Sequence, residues 1–341
     1  MHDLLPTTVI GSWPQPDWLV DRAVLTAKGV PRVKADEVWR VAPEHREEAI
    51  QAATLMAVRD QEHAGIDIVT DGEIGRESYF NHFAIALTGV DPSRHGRAAN
   101  RMGSQSTVPV VTGPIRRAGP IELEAARFLR ASTDRATKVT VPGPFTLSHL
   151  AQDEHYPDQR SLALAYAAAI NEELADLAAA GIDVVQLDEP YLQAGAEQAR
   201  DFAVEAINAA VDGVEATTVL HTCYGYAIYV KEKTGGYPFL AELADAAVDQ
   251  IAIEAAQPRL PLAVLDQLPA ATIVLGVLDL GTSEVETADV VADRLRAALT
   301  HVSPDRLVAA PDCGMKFVAR PVAIAKCRAM VEAAARVRAE L

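Results

Sequence analysis

Residues 161–190 read SLALAYAAAINEELADLAAAGIDVVQLDEP. The first twenty carry an apolar face at helical spacing. The last seven, VVQLDEP, form a short β-prone run that ends in two carboxylates. Working outward, comparable runs stand at 7–12 (TTVIGS), 66–72 (IDIVTDG), 138–144 (KVTVPGP), 217–223 (TTVLHTC), 250–255 (QIAIEA), 272–280 (TIVLGVLDL) and 307–314 (LVAAPDCG). Helical stretches lie between them. Among these, 287–300 (TADVVADRLRAALT) opens on a Thr cap ahead of acidic residues, and 321–339 closes the chain. Eight β-runs alternating with helices predict an α/β fold, a (β/α)8 TIM barrel forming a single domain over 1–341. The additional run at 107–113 (TVPVVTG) is assigned to a small accessory hairpin beside the barrel.

Length and composition agree with that architecture. A chain of 341 residues, nearly half of them apolar, suits one α/β barrel. The formal charge of −16 argues against a nucleic-acid partner, and no uncharged run is long enough to span a membrane. The opening MHDLLPTTVIGSW lacks the basic and apolar regions of a signal peptide, so a cytoplasmic location is expected. Thiols stay reduced there, and the three cysteines read as ligands or packing rather than disulfides.

Polar residues gather where the β-runs end: Ser12, Asp71, Glu73, Asp188, Glu189, His221, Cys223, Glu254, Asp279 and Cys313. In a barrel these ends form the active-site face. His221 and Cys223 are two apart on one run, so they point to the same side of it. Either alone reads as an ordinary buried side chain. Cys313 in Pro311-Asp312-Cys313-Gly314 and Glu254, a carboxylate ending an apolar run, change the balance. A buried carboxylate needs a partner, and a cation supplies one. A mixed S, N and O set suits Zn2+ rather than magnesium or calcium. Two thiolates, a carboxylate and an imidazole around a dication carry a net charge of about −1, which suits activation of a thiol better than of water. Cys327, inside the helical stretch 321–339, reads as packing.

IGSWPQ (10–15), TDGE (70–73), GPFTL (143–147), QLDEP (186–190), HTC (221–223), IAIEA (251–255) and PDCG (311–314) follow one another as in the catalytic barrel of cobalamin-independent methionine synthase. The chain resembles that family over nearly its whole length. The resemblance implies a barrel in which His221, Cys223, Glu254 and Cys313 hold zinc, and zinc binds the thiolate of homocysteine. It also implies that Glu73 and Asp188 take the amino group, while Ser12 with the adjoining backbone of Gly11 and Ile10 meets the carboxylate. An ammonium wants two acceptors, and a Gly-Ser turn offers N–H and hydroxyl donors.

The chain departs from the family pattern in three places. It has length for one barrel of the usual two, like the short branch of the family. Ser148-His149-Leu150 stands where the family places a Trp beside the pterin. Asp279-Leu280-Gly281 replaces the family's Asp-x-His, which leaves Asp279 beside Glu73 and Asp188 as a candidate catalytic group without the acid His. A folate amine leaves poorly without a proton, so the altered donor half weakens a folate donor relative to another carrier. His149 and His155 are candidate substitutes.

The expected activity is therefore zinc-dependent methyl transfer to the thiol of homocysteine. The expected partners are that thiol and a methyl donor, either a methyl-folate or a methylcorrinoid, with a homodimer left open. The alternatives are a transferase of the epoxyalkane:coenzyme M type and a non-catalytic, zinc-stabilised barrel. The first would need cations for a sulfonate; Arg76, Lys316 and Arg320 lie near run ends, though each reads more simply as a solvated charge. Aromatic residues cluster at 13–18, 79–83 and 224–239, and the last stretch is placed to roof a donor pocket.

Overall fold

Seven of the eight expected runs become neighbouring parallel strands of one curled sheet in a computed structural model that describes residues 4–27, 30–100, 103–233 and 236–341. The strands, with those of a second sheet, are β1 (Ile68–Thr70), β2 (Leu87–Ala99), β3 (Gln105–Arg117), β4 (Ala136–Pro142), β5 (Gln152–Asp153), β6 (Val184–Asp188), β7 (Thr217–Thr222), β8 (Gln250–Ile253), β9 (Thr272–Leu278) and β10 (Leu307–Pro311). The large sheet runs β1-β4-β6-β7-β8-β9-β10, parallel at every step.

The first run closes the barrel. Thr7 pairs in parallel with Ala309 of β10 and Thr8 with Ile68 of β1. Thr8 N–H donates to Ala309 O at 2.9 Å, and Ile68 N–H donates to Thr7 O at 3.0 Å. This eighth stave is shorter than the run 7–12 predicted. Past Thr8 the backbone leaves the ladder and crosses the barrel mouth. There Gly11 O accepts from the Thr70 hydroxyl, Ser12 O from Met315 N–H, and Gly72 O from Trp13 N–H.

Alternation along each stave fixes what faces the lumen. Ile10, Val184, Val219, Ala252, Val274, Val308 and Ala310 form a separate apolar cluster there. Two residues further toward the C-terminal ends stand Ser12, Gln186, His221 and Glu254, all buried. The lumen thus changes from apolar to polar along its length, and the polar layer floors the mouth.

The helices form as their spacing predicts. Gln159–Ala179 buries Leu162, Ala163, Tyr166, Ile170, Leu174 and Leu177 on one face, and the Asp158 side chain caps it by accepting from Ser161 N–H. Ala288–Ala298 is capped by Thr287, which accepts from Val290 N–H. Arg320–Arg338 contains buried Cys327, whose Sγ lies 3.8 Å from Met315 Sδ. That cysteine is packing, as expected.

The run 107–113 falls within β3, which pairs antiparallel with β2. The partner strand is not legible in the sequence: LTGVDPSRHGRAA carries Gly, Pro and charge, and its mostly exposed pattern lacks an apolar alternation. The hairpin is anchored at its base by Arg117, which pairs with buried Glu173 at 2.7 Å. No helix among the described residues is long and apolar enough to cross a membrane. Of the sequence features noted above, Met1–Asp3 and positions 234 and 235 of the aromatic stretch lie outside the described residues.

Candidate metal centre and active site

His221 and Cys223 leave the end of β7 on the lumen side, and Cys313 follows β10. Their ligand atoms all lie within 4.8 Å of one another, and the two sulfurs are 3.9 Å apart. None of the three cysteines is in a disulfide. The His221 ring is held from behind: Nδ1 lies 3.0 Å from Asp188 Oδ1, which also accepts from Gln186 Nε2 at 2.8 Å. The opposite nitrogen, Nε2, is buried with no hydrogen-bond partner. An imidazole fixed by a carboxylate on one side and left open on the other is the arrangement of a metal ligand. One imidazole and two sulfurs within 4.8 Å of one another are a donor set that fits zinc.

Glu254 does not join that group. The carboxylate is fully buried at the end of β8, its Oε1 accepts from Tyr224 N–H at 3.1 Å, and its Oε2 is ion-paired with Lys233. Burial, reinforced by Cys223 and opposed by Lys233, raises its pKa to about 8. His221 shows the complementary effect. Burial lowers its basicity, but the charge of Cys223 and the Asp188 hydrogen bond outweigh it and raise its pKa to about 10. Burial is the larger cause at Glu254 and opposes the shift at His221, but buried acidic neighbours add to both, and such a cluster favours a cation among them.

Neighbouring motifs lock these residues in place. Asp312 accepts from the backbone N–H groups of Ala255 and Ala256 through Oδ1 and of Gln257 through Oδ2, at 2.6–3.0 Å. It ties the residue before Cys313 to the loop after Glu254. Glu189 accepts from Phe145 N–H, Thr146 N–H and the Thr146 hydroxyl at the start of the helix Pro144–His149. It ties the residue after Asp188 to the GPFT segment.

A small cavity opens at the three-ligand group, lined by Ile10, Ser12, Glu73, Asp188, Tyr226 and Gly314 among others. Glu73 adopts a left-handed backbone, φ 53°, and buries its carboxylate at 2 % exposure. Its Oε1 accepts from the Thr140 hydroxyl at 3.1 Å, while Oε2 has no partner. Burial, opposed by Arg76 and reinforced by Asp188, raises its pKa to about 7. Ser12 Oγ lies 3.3 Å from Tyr226 Oη. Two glycines make room: a Cβ on Gly11 would lie 2.5 Å from Glu73 Oε1, and one on Gly314 would lie 2.2 Å from Ser12 Oγ.

Residues 5–336 match the family model of the cobalamin-independent synthase catalytic domain. The chain belongs to this family. It is accordingly a methyltransferase. The methionine synthase of Sulfolobus acidocaldarius is 34% identical over 339 residues, covering 99% of this chain and 94% of that protein. A B12-independent methionine synthase from Shewanella sp. W3-18-1, solved in complex with selenomethionine, is 31% identical with a TM-score of 0.89, covering 99% of this chain and 98% of that one. A B12-independent methionine synthase from Listeria monocytogenes described as putative, 21% identical with a TM-score of 0.72 and covering 98% and 99%, shares the fold.

Among the family motifs, His221, Cys223 and Cys313 meet beside Ser12, Glu73 and Asp188, whereas Glu254, Asp279 and His149 do not line the cavity. Asp279 does not line the cavity; its Oδ1 accepts from Gly281 N–H at 2.7 Å within its own loop. His149 stacks beside Phe145 and Tyr191, and burial lowers its pKa. His155 packs edge-on against Tyr156. Neither lines the cavity.

Two of the three cations read from sequence as solvated are buried instead. Arg76 Nη1 donates to Thr140 O at 2.8 Å and Nη2 faces Asp71 and Glu122, while Lys316 Nζ donates to Arg76 O at 2.7 Å. They fold under the mouth because the buried carboxylates there require counter-charge. Arg320 pairs with Asp60 outside the barrel. None of the three lines the cavity.

Sequence reasoning missed Lys233, which sits in a polar KEK string that reads as plain loop, and Lys138, buried on β4 with its pKa lowered to about 7 by burial. It named Tyr226 only as part of an aromatic cluster.

Proposed function

We propose that this chain transfers a methyl group to the thiol of L-homocysteine and so makes methionine, with zinc held by His221, Cys223 and Cys313, while Glu254, ion-paired with Lys233, stands outside that group. The convergence of one ring nitrogen and two thiol sulfurs within 4.8 Å, beside a cavity walled by Glu73 with its Oε2 free of partners, carries this reading. Zinc bound there would lower the pKa of an added thiol and keep the sulfur nucleophilic. Glu73 Oε2 and Asp188 offer two acceptors to the ammonium, and Ser12 with Tyr226 offers hydroxyls to the carboxylate. Held at both ends, the amino acid presents its sulfur toward the donor, which positions it for in-line displacement. The Shewanella relative in complex with selenomethionine supports an amino acid of this size and charge. No lysine or arginine lines the cavity among the described residues, which disfavours a sulfonate thiol. The altered Asp279-Leu280-Gly281 segment and the remoteness of His149 favour a donor whose leaving group needs no proton, such as a methylcorrinoid, over a methyl-folate.

Cys313→Ser and His221→Ala test the reading through zinc content and methyl transfer together. Both should lose metal and activity in step, and a zinc-free variant with full activity would overturn it. Titration of the zinc-loaded protein with L-homocysteine and with coenzyme M should add a zinc–sulfur bond, seen by X-ray absorption, with homocysteine alone.

A further inference from the structure

Two further cavities adjoin the one at the three-ligand group, and the three stand in series through shared walls. Tyr226 and Gly314 line both the inner cavity and the next, a gallery walled mainly by apolar and small residues such as Leu280, Gly281 and Val322. Ile228 and Phe317 line both the gallery and a third cavity, which reaches Arg22 and Lys316. Phe317 stands at that junction, edge-on to Tyr226 with 4.9 Å between ring centroids. The gallery is built from the segments that follow β7, β9 and β10, whereas the helix Pro144–His149, which holds the family's pterin-side position, follows β4.

Charge divides the mouth along this series. The inner cavity carries Glu73 and Asp188 and no lysine or arginine. The two outer cavities carry Lys231, Arg22 and Lys316, and among the described residues no Asp or Glu lines either one. In a chain with 47 acidic and 31 basic residues, that is the reverse of the average surface. The Lys316 ammonium is buried and meets one acceptor, Arg76 O at 2.7 Å, although it has three N–H groups to offer. Arg22 is held by Gln15 O at 3.0 Å and by exposed Asp17 at 2.8 Å, a pair that water screens. The gallery also gains room from Gly281, which brings no side chain to its wall; a Cβ there would lie 2.8 Å from Gln257 Nε2. The departure that removes the family's acid His thus also opens this passage.

We infer that the outer cavities seat the methyl donor, whose apolar body lies along the gallery while an anionic group reaches Arg22, Lys231 and Lys316. The anion is a phosphate or a carboxylate, such as a corrinoid nucleotide loop or a folate glutamate tail supplies. The inference rests on the methyl-transfer reading above.

Equilibrium binding to the zinc-loaded full chain tests the seat without turnover. The proteins are wild type, Lys316→Met and the double variant Arg22→Glu/Lys231→Glu, whose exposed positions keep the comparison open should Lys316→Met fail to fold. The probes are methylcobalamin, methylcobinamide, which lacks the phosphate, methyl-folate with one glutamate or three, and L-methionine. Both variants should bind methylcobalamin roughly tenfold or more weakly, because a charge-assisted contact is lost. Methylcobinamide and L-methionine should change by less than about twofold. The same contrast between three glutamates and one, with methylcobalamin indifferent, also supports the seat and makes the anion a carboxylate. Unchanged donor affinity in both variants, equal losses for methylcobalamin and methylcobinamide, or no donor bound by wild type overturns the inference. Donors that bind as expected and yet transfer no methyl group to homocysteine overturn the methyl-transfer reading instead.

Discussion

Glu73→Gln should stabilise the fold and weaken ligand binding at once. The Glu73 carboxyl is buried, and burial with the nearby Asp188 raises its pKa from 4.5 to about 7 against the pull of Arg76. A raised carboxyl pKa means the folded chain keeps its proton at pH values where the unfolded chain has lost it. Stability therefore falls as pH rises from about 4.5 toward 7. Above that the full penalty, about 3 kcal/mol, is present. Glutamine keeps the size of the side chain and an acceptor for the Thr140 hydroxyl, but it cannot ionise. At about 2.1 cal/mol/K per residue, the relief should raise the Tm of the zinc-loaded variant by roughly 4 °C at pH 8 and by only about 1 °C at pH 5.

Binding should move the other way. A charge-assisted bond to an ammonium contributes about 1.5–3 kcal/mol, so L-methionine should bind Glu73→Gln roughly 10- to 100-fold more weakly at pH 8. Methionine carries no thiol, so calorimetry with it isolates the amino-acid contacts from the metal. Wild-type affinity should also fall by up to about tenfold per pH unit below 7 as Glu73 takes up a proton, while the variant's stays level. Wild-type affinity in the variant at pH 8, or a Tm advantage that persists undiminished at pH 5, would refute the assignment of Glu73 as the buried anion that awaits the ammonium.

Three further outcomes follow from the contacts. Asp188→Asn removes the carboxylate behind His221 Nδ1, and zinc affinity by chelator competition should fall roughly 10- to 100-fold; an unchanged affinity would mean that something else orients the ring. Gly314→Ala places a methyl group against Ser12 Oγ, so methionine binding should weaken while zinc content stays at one ion per chain. Asp312→Ala leaves three backbone N–H groups of residues 255–257 without their acceptor, each costing about 1–3 kcal/mol if it stays buried. Its Tm should fall by several degrees and zinc should leave it faster, and wild-type values for both would show that the clamp is dispensable.

The sequence by itself determined the layout of the barrel, because each stave and each helix advertises its own period. The helix Gln159–Ala179 and strand β6 were legible within the thirty residues 161–190, and polar side chains at successive strand ends located the working face. His221, Cys223 and Cys313 were legible as a set because thiols are scarce in this chain and sit at strand ends. Pairing across the chain was not legible. That so short a segment around Thr7 and Thr8 closes the barrel, that β2 exists at all, that Asp312 clamps the loop after Glu254 and Glu189 the GPFT helix, and that Lys233 folds onto Glu254 were decided only in three dimensions. Periodicity is a local property, written in neighbouring residues. The partner of a buried charge is chosen by whichever loop can reach it once the lumen has excluded water, and no spacing along the chain records that choice.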